Sequence, residues 1–422
     1  MPDARTFLLA TFEAGGMVAP MLTLARRLRE RGHRVRLMSD RCNREECESA
    51  GVAFRPWQRA PSKPGRDRAH DVFRDWAAPD PALGFLELVE HVLIGPARAY
   101  AEDTLEELRR EPADLVIASE MLFGVQAGCE ALGQRHALLA ANISLFPLPG
   151  VPPFGPGLLP ARTPEEHARH AELARESEAL LDRALPALNA ARAALGLPAL
   201  AHVLDQHARA RRLLLATARA FDYAPPALPA HVAYVGPLLD EPGWVSRAPL
   251  PVDDARPAVL VAFSTTFQNH VAVLQRVTDA LGRLPVRALL TLGGGVREGE
   301  VRCTDNVTAL ASASHDAALR RAALVVTHGG HGTVMRALVH GVPLLVMPLG
   351  RDQHDNAARV AARGAGLVLA ADADEAAIAA AVQRLLVEPA FALNAQALGA
   401  RIREEIARSP LLPLLESLAG EA

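Results

Sequence analysis

The stretch Val325–Asn356, VVTHGGHGTVMRALVHGVPLLVMPLGRDQHDN, decides how this chain is interpreted. Its apolar start predicts a buried strand, and a turn rich in glycine and histidine leads from that strand into a helix predicted over Thr333–His340. Glycines let a backbone approach a ligand closely, and the first turn of a helix offers unpaired N–H groups at the positive end of its dipole. The turn therefore predicts an anion site with His328 and Thr333 as further donors. On its own, a tight strand-to-helix turn would also explain these glycines.

The second half of the stretch favours the anion site. Gly341–Pro343 ends the helix, and the next strand leads into the polar segment Gly350–Asn356. Because parallel strands end at the same edge of a sheet, the two polar loops are expected to lie together. Asp352 and Gln353 supply a carboxylate and an amide, which suit the hydroxyl groups of a hexose beside a diphosphate.

The rest of the chain alternates strand-like runs with amphipathic helical stretches. Near the N-terminus, a strand at Thr6–Thr11, a helix at Pro20–Arg31 and a strand at Arg34–Met38 form a β-α-β unit, which predicts a parallel sheet. A proline-rich segment is typical of an interdomain connection. The pattern predicts an α/β protein with two doubly wound domains facing across a cleft. The predicted divisions are a first domain at 1–222, a connector at 223–257, a second domain at 258–399 and a C-terminal helical segment at 400–422.

The composition excludes several classes of protein. The chain has 422 residues, half of them hydrophobic, and Lys+Arg 45 against Asp+Glu 48 give a net charge of −3. Such a balance indicates a globular protein and no field that attracts nucleic acid or an anionic membrane. The single lysine, Lys63, excludes a pyridoxal phosphate enzyme anchored through a lysine in its second half. Four scattered cysteines predict neither a disulfide framework nor a zinc site, and no apolar run predicts a signal peptide or membrane span. We therefore expect a cytoplasmic protein.

The stretch resembles the nucleotide-sugar signature of family 1 glycosyltransferases of the GT-B fold, specifically the bacterial macrolide-glycosyltransferase-like branch. The resemblance covers nearly the whole chain, including the N-terminal β-α-β unit. It implies an N-terminal acceptor domain, a C-terminal nucleotide-sugar domain made of Rossmann-like elements, and a last helix that crosses back onto the first domain. The donor-binding positions that it implies are Ser264, Thr265, Ser314, His315, His328, Gly329, Gly330, Gly332, Thr333, Asp352 and Gln353.

Two positions depart from the family pattern. The histidine that usually deprotonates the acceptor is Met17 here, and a thioether cannot accept that proton. Arg336 stands where the family often has an acidic residue that contacts the ribose. This difference leaves open the choice between a UDP and a dTDP carrier. Glu13, beside Met17, and Glu120, after a predicted strand, are the candidate bases. The alternative interpretation of Glu13 is a solvated loop carboxylate, and that of Glu120 is a charge at the start of a helix. A third alternative is an acceptor that needs little assistance from a base.

The acceptor side gives weaker signals. The apolar, proline-rich segment Ile143–Pro160 does not suit a helix or a central strand, and we expect it either to wall an acceptor pocket or to pack on the surface of the domain. The acidic pair Asp372 and Asp374 precedes a predicted helix and indicates N-capping, so we predict no metal site and no cofactor besides the nucleotide sugar as co-substrate. The candidate acceptor-binding residues are Met17, Trp76, His91, Asn142, Phe146 and Phe154.

These observations favour an inverting, metal-independent glycosyltransferase of natural-product or antibiotic biosynthesis. It would move a hexose or deoxyhexose from a nucleotide diphosphate to a hydrophobic small molecule, acting as a monomer or homodimer. A nucleotide-sugar-binding auxiliary protein and a sugar-nucleotide epimerase are the alternatives. An NAD-type dehydrogenase is disfavoured, because Glu13–Met17 follows the first strand in place of a Gly-x-Gly-x-x-Gly turn.

Overall fold

A computed structural model describes residues 4–78, 80–241 and 255–421. The first domain contains a seven-stranded parallel sheet in the order β3-β2-β1-β4-β5-β6-β7. Its strands are β1 (Thr6–Ala10), β2 (Arg34–Ser39), β3 (Ala53–Pro56), β4 (Leu115–Ser119), β5 (His136–Ala140), β6 (Arg212–Leu215) and β7 (Val232–Tyr234). Its α-helices are α1 (Val18–Glu30), α2 (Arg44–Ser49), α3 (Pro81–Leu88), α4 (Ala97–Arg110), α5 (Phe123–Ala131), α6 (Pro164–Asp182) and α7 (Leu185–Ala194). Shorter 3-10 or π turns lie at Arg41–Asn43, Arg68–His70, Asp75–Ala77, Val89–Leu93 and Val203–Arg209.

The second domain contains a six-stranded parallel sheet in the order β10-β9-β8-β11-β12-β13. Its strands are β8 (Ala258–Ala262), β9 (Arg287–Thr291), β10 (Val307–Leu310), β11 (Ala322–Thr327), β12 (Leu344–Val346) and β13 (Gly366–Val368). The helices that follow the connection are α8 (Val271–Gly282), α9 (His315–Leu319), α10 (His331–Val339), α11 (Gln353–Ala362), α12 (Glu375–Val387), α13 (Pro389–Ala407) and α14 (Leu411–Gly420). Two parallel-sheet α/β domains are therefore the observed fold, as the sequence predicts.

The strand order positions the functional loops. In the first sheet it reverses between the neighbours β1 and β4, and in the second sheet between β8 and β11. Strands at such a point are covered on both faces, which explains why β1 and β4 are buried along their whole length and read as continuous apolar runs. Ligands of open α/β sheets bind outside the carboxyl ends of strands at these reversals. The loops after β1, β8 and β11 are accordingly among those that line the space between the domains.

The first domain extends beyond the predicted boundary at residue 222. The segment 223–257, expected to be a connector, contributes β7, which pairs in parallel with β6 through Leu213 and Val232. This three-residue edge strand escapes sequence reasoning because prolines flank it closely, although none lies inside it. Residues 242–254 of the predicted connector lie outside the described residues.

The C-terminal helices join the two domains. Helix α13 packs Ala395, Leu398 and Ile402 into the core of the second domain. Helix α14 places Leu411 and Leu415 in a core cluster with residues of β1, β2 and α1 of the first domain. The chain therefore returns to the first domain between α13 and α14.

Three helix starts refine the sequence predictions. Helix α10 begins at His331, two residues before the predicted start, because Gly330 serves as its N-cap. Helix α11 begins at Gln353, after Arg351 adopts a left-handed backbone with φ 57°. Helix α12 begins after Asp374, whose side chain accepts a hydrogen bond from the Ala377 N–H at 2.8 Å, which agrees with the capping interpretation.

Among the described residues, no single helix is both long and apolar enough to cross a membrane. The helical segments Glu375–Val387 and Pro389–Gly420 together have the necessary length and composition, but they are bent by 69° relative to each other.

Candidate active site

A cleft of about 500 Å³ lies between the domains at the carboxyl ends of the sheets. Most of the donor-binding residues that the sequence predicts line it, together with the loop after β1. The predicted residues that the structure brings together here are Glu13, Met17, Asn142, Phe154, Ser264, Thr265, His315, His328, Gly330, Gly332, Thr333, Asp352 and Gln353.

The start of helix α10 forms one wall of the cleft. Gly330 is the N-cap, and among the described residues no side chain caps the helix. The N–H groups of the first turn, which have no intrahelical partner, are therefore available at the positive end of the helix dipole. A Cβ on residue 332 would meet no described heavy atom within 4 Å, so the first turn of α10 borders open space. This is the arrangement that binds phosphates at helix N-termini.

His328 stands beside this helix start. Burial, with the positive charges of His270 and Arg351 adding to it, lowers the pKa of His328 to about 3. The imidazole is therefore neutral at ordinary pH and has one N–H, which donates to the Ala262 backbone oxygen, so the ring has to exchange this partner to donate to a ligand. A Cβ on residue 330 would come within 2.7 Å of the His328 Nε2 atom, so the ring occupies the space that only glycine at 330 leaves free.

Asp352 and Gln353 lie at the start of α11 on the same side of the cleft. Burial raises the pKa of Asp352 to about 6, and its Oδ2 accepts a hydrogen bond from the Asn356 amide at 2.9 Å. The Gln353 Oε1 accepts from the Leu349 N–H at 2.7 Å, and its Nε2 donates to the Gln268 Oε1 at 2.8 Å. Gln353 therefore holds the loop before α11 in place, and the second N–H of its amide, which has no hydrogen-bond partner among the described residues, is left to donate to a sugar hydroxyl.

The loop after β8 forms the facing wall. The Ser264 Oγ accepts a hydrogen bond from the Gln268 Nε2 at 2.6 Å, which links this loop to Gln353. Thr265 is exposed to the cleft. A Cβ on residue 15, whose φ is +86°, would come 3.3 Å from the Thr265 Oγ1. The glycine turn after β1 and the threonine turn after β8 therefore approach each other across the cleft.

Glu13 belongs to that glycine turn. It is 7% exposed, and its Oε1 accepts a hydrogen bond from the Gly15 N–H at 3.0 Å. Its Oε2 lies 3.5 Å from the Arg66 Nε, and Arg66 also contacts Glu46 at 2.5 Å. Met17, which stands at the family's histidine position, is buried on the same wall. Glu13 therefore places a carboxylate in the first-domain wall of the cleft, which also includes Met17.

Glu120 is not among the described residues that line the cleft, contrary to its prediction as a base. Its side chain is fully buried, and burial raises its pKa to about 7. The carboxyl contacts the Ser144 Oγ at 2.6 Å and accepts from the Leu145 N–H at 3.2 Å. Its backbone oxygen accepts from Gln126 and His207. Glu120 thus holds the segment after β5 in place through Ser144 and Leu145, and its side chain does not line the cleft.

Three predicted acceptor residues also lie away from the cleft. Trp76 packs edge-to-face on Phe267 of the second domain, with ring centroids 5.0 Å apart. His91 is exposed and lies 3.4 Å from Glu87 on the same helical segment. Phe146 lines a neighbouring cavity. A single aromatic residue or histidine carries no pattern that fixes which cavity or surface it faces, so the sequence could not place these three residues relative to the cleft.

His315, the first residue of α9, also lines the cleft. Its Nε2 lies 3.1 Å from the Thr291 Oγ1, and burial lowers its pKa to about 4. Ser314 caps α9 by accepting from the Ala317 N–H and is held by Glu241, so it supports this wall without lining it. Arg336 lines the cleft and pairs with Asp316 at 2.9 Å. Gly329, whose φ is +95°, shapes the turn before α10 without lining the cleft.

Sequence reasoning missed two arginines of the site. Arg351 contacts Asp75 of the first domain at 2.7 Å and the Thr266 Oγ1 at 3.2 Å. Arg66 lines the cleft beside Glu13. Both act across long sequence separations, for which periodicity gives no signal, although the position of Arg351 directly before Asp352 could have marked it.

The described residues also contain one group with the spacing of metal ligands, formed by Glu178, Asp182 and His202. The His202 Nδ1 lies 2.7 Å from the Asp182 Oδ2, and none of the three lines the cleft. An ion pair at the end of α6 accounts for this group.

Comparison with known proteins identifies the family. Residues 275–413 match the family model described as the C-terminal domain of the erythromycin biosynthesis protein CIII-like group. The chain is 30% identical to 4'-demethylrebeccamycin synthase of Lentzea aerocolonigenes, with 98% of each chain covered. It is 26% identical to the O-mycaminosyltylonolide 6-deoxyallosyltransferase of Streptomyces fradiae, covering 94% of this chain and 93% of the relative.

Solved structures share the fold. The glycosyltransferase of kitacinnamycin superposes with a TM-score of 0.77 at 18% identity, covering 99% of this chain and 100% of that one. A calicheamicin glycosyltransferase superposes with a TM-score of 0.73 at 20% identity, covering 100% of this chain and 99% of the other. Together with the nearly full-length relative, these matches show that the chain belongs to the family 1 glycosyltransferases of the GT-B fold, in the bacterial natural-product branch.

Proposed function

We propose that this glycosyltransferase moves a hexose or deoxyhexose from a UDP or dTDP carrier to a hydrophobic natural product, with inversion at the anomeric carbon and without a metal ion. The uncapped start of α10, beside His328, is the observation that carries the proposal. Two relatives add support, since one is named a 4'-demethylrebeccamycin synthase and the other a 6-deoxyallosyltransferase of O-mycaminosyltylonolide.

The leaving group would be stabilised by fixed donors of the protein. As the bond from the anomeric carbon to the phosphate oxygen breaks, negative charge grows on the diphosphate. His328, Gly332 and Thr333 line the cleft there. The donors would be the first-turn N–H groups of α10, the Thr333 hydroxyl and the His328 imidazole. Preorganised donors aimed at developing charge are worth about 3–4 kcal/mol each in other enzymes. This set supports departure of the diphosphate with the bonding electron pair and no cation.

Glu13 would act as the general base. The acceptor oxygen attacks the anomeric carbon while its proton passes to the Glu13 carboxylate. Glu13 is the carboxylate of the turn that approaches the Thr265 side of the cleft, and Arg66 holds its Oε2. Glu120 would act indirectly, by fixing the segment that starts at Asn142 in the cleft wall.

Substitution of the two carboxylates that contact Arg66 tests this assignment. Glu13→Gln should lower kcat by about 10²–10⁴-fold at saturating substrates, because the base is lost. Glu46→Gln removes the other carboxylate beside Arg66 and is the matched control, for which we expect a change of less than about tenfold. Equal kcat values for the two variants would show that Glu13 is not the base.

The stereochemistry and the transfer itself are tested with the wild-type enzyme. We expect an α-linked nucleotide sugar to give a β-linked product, read from the anomeric proton coupling by NMR. A retained configuration would contradict the direct displacement. Consumption of the donor with no product in the presence of any acceptor would favour an auxiliary or hydrolytic role instead.

A further inference from the structure

The segment 66–78 of the first domain, between β3 and α3, reaches the second domain, and we call it the strap. Near its start, the Arg68 Nη2 lies 3.3 Å from the Glu300 Oε1, and the Arg68 guanidinium lies 5.1 Å from the centroid of the Phe267 ring. Near its end, Trp76 packs edge-to-face on the same phenyl ring. The strap therefore contacts the second domain near both of its ends.

Arg351 is the residue of the second domain at which the strap and two loops of the cleft meet. Its Nε donates to the Asp75 Oδ2 at 2.7 Å, and its guanidinium lies 5.6 Å from the centroid of the Phe73 ring. Its Nη1 donates to the Thr266 Oγ1 at 3.2 Å and lies 3.5 Å from the Ala14 backbone oxygen. One side chain therefore joins the strap to the loop after β8 and to the glycine turn after β1.

The surroundings of the ion pair between Arg351 and Asp75 distinguish it from an ordinary surface pair. Exposed ion pairs contribute little, because water screens them and ordering two long side chains costs entropy. Here the side chains are 22% and 15% exposed, and the aromatic ring and the threonine hydroxyl further restrict the guanidinium. The pair is therefore suited to fix the position of one loop relative to another.

The backbone of Arg351 is a second, independent observation. Its φ of 57° lies in the left-handed region, which glycine adopts freely and a residue with a Cβ adopts under strain. Asn269 is the other non-glycine residue in the described part of the chain with a positive φ, and asparagine tolerates that region better than arginine does. Strained residues of this kind concentrate at functional sites, where surrounding contacts hold them. The contacts of the Arg351 side chain across the domain boundary offset the strain here.

The place of Arg351 in the chain connects these contacts to the donor sugar. It directly precedes Asp352 and Gln353, the N-cap and first residue of α11, which are the expected contacts of the sugar. The glycine turn on the other side of its guanidinium carries Glu13, whose Oε1 accepts a hydrogen bond from the Gly15 N–H. Arg351 thus lies between the loop assigned to the sugar and the turn assigned to the base.

We infer that Arg351 is a positioning residue for the transfer, and that its ion pair with Asp75 sets the loop that holds the sugar against the turn that carries Glu13. This inference rests on the proposed function. In a direct displacement the acceptor oxygen, the anomeric carbon and the leaving oxygen have to lie in line. A misplacement of about 1 Å, even one caused by a residue remote from the chemistry, can cost about 10²-fold in rate.

The inference predicts a loss of turnover without a loss of nucleotide affinity. The Arg351 guanidinium donates to Asp75 and Thr266, and none of its hydrogen bonds among the described residues reaches α10, where the diphosphate is proposed to bind. Removing the side chain should therefore disturb the alignment of the reacting atoms and leave the nucleotide site in place.

Arg351→Gly and Asp75→Ala test this from the two sides of the pair. Glycine suits the left-handed backbone, so Arg351→Gly should fold, and Asp75→Ala keeps the positive charge of Arg351 while removing its partner. With UDP-glucose or dTDP-glucose and an aglycone that the wild type glycosylates, we expect each variant to lower kcat by about 10- to 100-fold. The Kd of UDP in calorimetry should stay within about threefold of the wild type.

Arg68→Gln is the matched control, because it removes the other ion pair between the strap and the second domain, and neither Arg68 nor Glu300 lines the cleft. We expect its kcat to stay within about twofold. The variant that combines Arg351→Gly and Asp75→Ala should lose about as much kcat as the more impaired single variant, since both changes break one interaction.

Three results would each overturn the positioning role. These are an unchanged kcat in Arg351→Gly, a loss of UDP affinity that matches the loss of kcat, and losses that multiply in the double variant. An equal loss in Arg68→Gln would show that the strap as a whole, and not Arg351, is what matters.

Failure of the proposed function has a different signature. A wild-type protein that glycosylated no member of a panel of phenolic and macrolactone aglycones would contradict the proposed transfer itself. Wild-type transfer with an unaffected Arg351→Gly variant would contradict this inference alone.

Discussion

Replacement of Glu120 by glutamine should stabilise the protein relative to the wild type, and this difference in the free energy of unfolding should grow as the pH rises. The ordinary pKa of a glutamate is near 4.5, and burial raises the pKa of Glu120 to about 7, against the opposing effect of hydrogen bonds from Ser144 and Leu145. Between these two values the folded state keeps a proton that the unfolded state has released. The stability of the wild-type protein therefore falls as the pH rises through this window.

The size of the effect follows from the shift. One pKa unit corresponds to about 1.4 kcal/mol, so the stability advantage of Glu120→Gln over the wild type should grow by about 2–3 kcal/mol between about pH 5 and about pH 8. Glutamine imitates the protonated carboxyl, since its oxygen faces the Leu145 N–H and its amide nitrogen faces the Ser144 Oγ. The two proteins should therefore have similar stabilities at the acidic end.

Urea unfolding followed by circular dichroism at several pH values measures this difference. An advantage that did not change with pH, or that shrank as the pH rose, would refute the burial of an uncompensated carboxyl at this position. The same variant also tests the catalytic assignment, because Glu120 does not contact the cleft. We expect its kcat to stay within about tenfold of the wild type, and a loss of about 10²-fold or more would return Glu120 to the role of base.

Three further predictions concern the donor site. Gly332→Ala should leave the stability of the protein nearly unchanged, since alanine favours helices and its Cβ meets no described atom within 4 Å. The same Cβ enters the space assigned to the diphosphate, so the variant should bind UDP or dTDP more weakly. Equal affinities of variant and wild type in calorimetry would contradict this. Asp352→Asn should lower kcat/KM for the nucleotide sugar while the Kd of the free nucleotide diphosphate is unchanged, and a matching loss in both would show that Asp352 is not specific to the sugar. Activity should persist in excess EDTA, because the donors of α10 and His328 replace a cation, and complete loss on chelation would contradict that mechanism.

The donor half of the site was predictable because its signals are local. The turn from His328 to Thr333 joins a strand to a helix within a few residues, and glycine spacing alone indicates a backbone open to a ligand. The start of α10 at His331 was not predictable to the residue, since Gly330 caps the helix without the side-chain oxygen that marks a cap in sequence.

The acceptor half depended on contacts between distant segments. Glu120 follows β4 as predicted, but the segment around Ser144 and Leu145 packs over it and separates it from the cleft. Whether a carboxyl after a strand faces a cleft or a packed loop is a tertiary property that neither periodicity nor composition contains. The same holds for Arg66, whose place beside Glu13 arises from packing between two loops of the first domain.

A crystal structure of the protein with dTDP or UDP tests the central claim most directly. The account predicts a diphosphate oxygen within hydrogen-bond distance of the Gly332 or Thr333 N–H, with the His328 ring beside it and the nucleobase towards His315. A diphosphate bound elsewhere in the cleft, with the first turn of α10 bonded only to water, would contradict it.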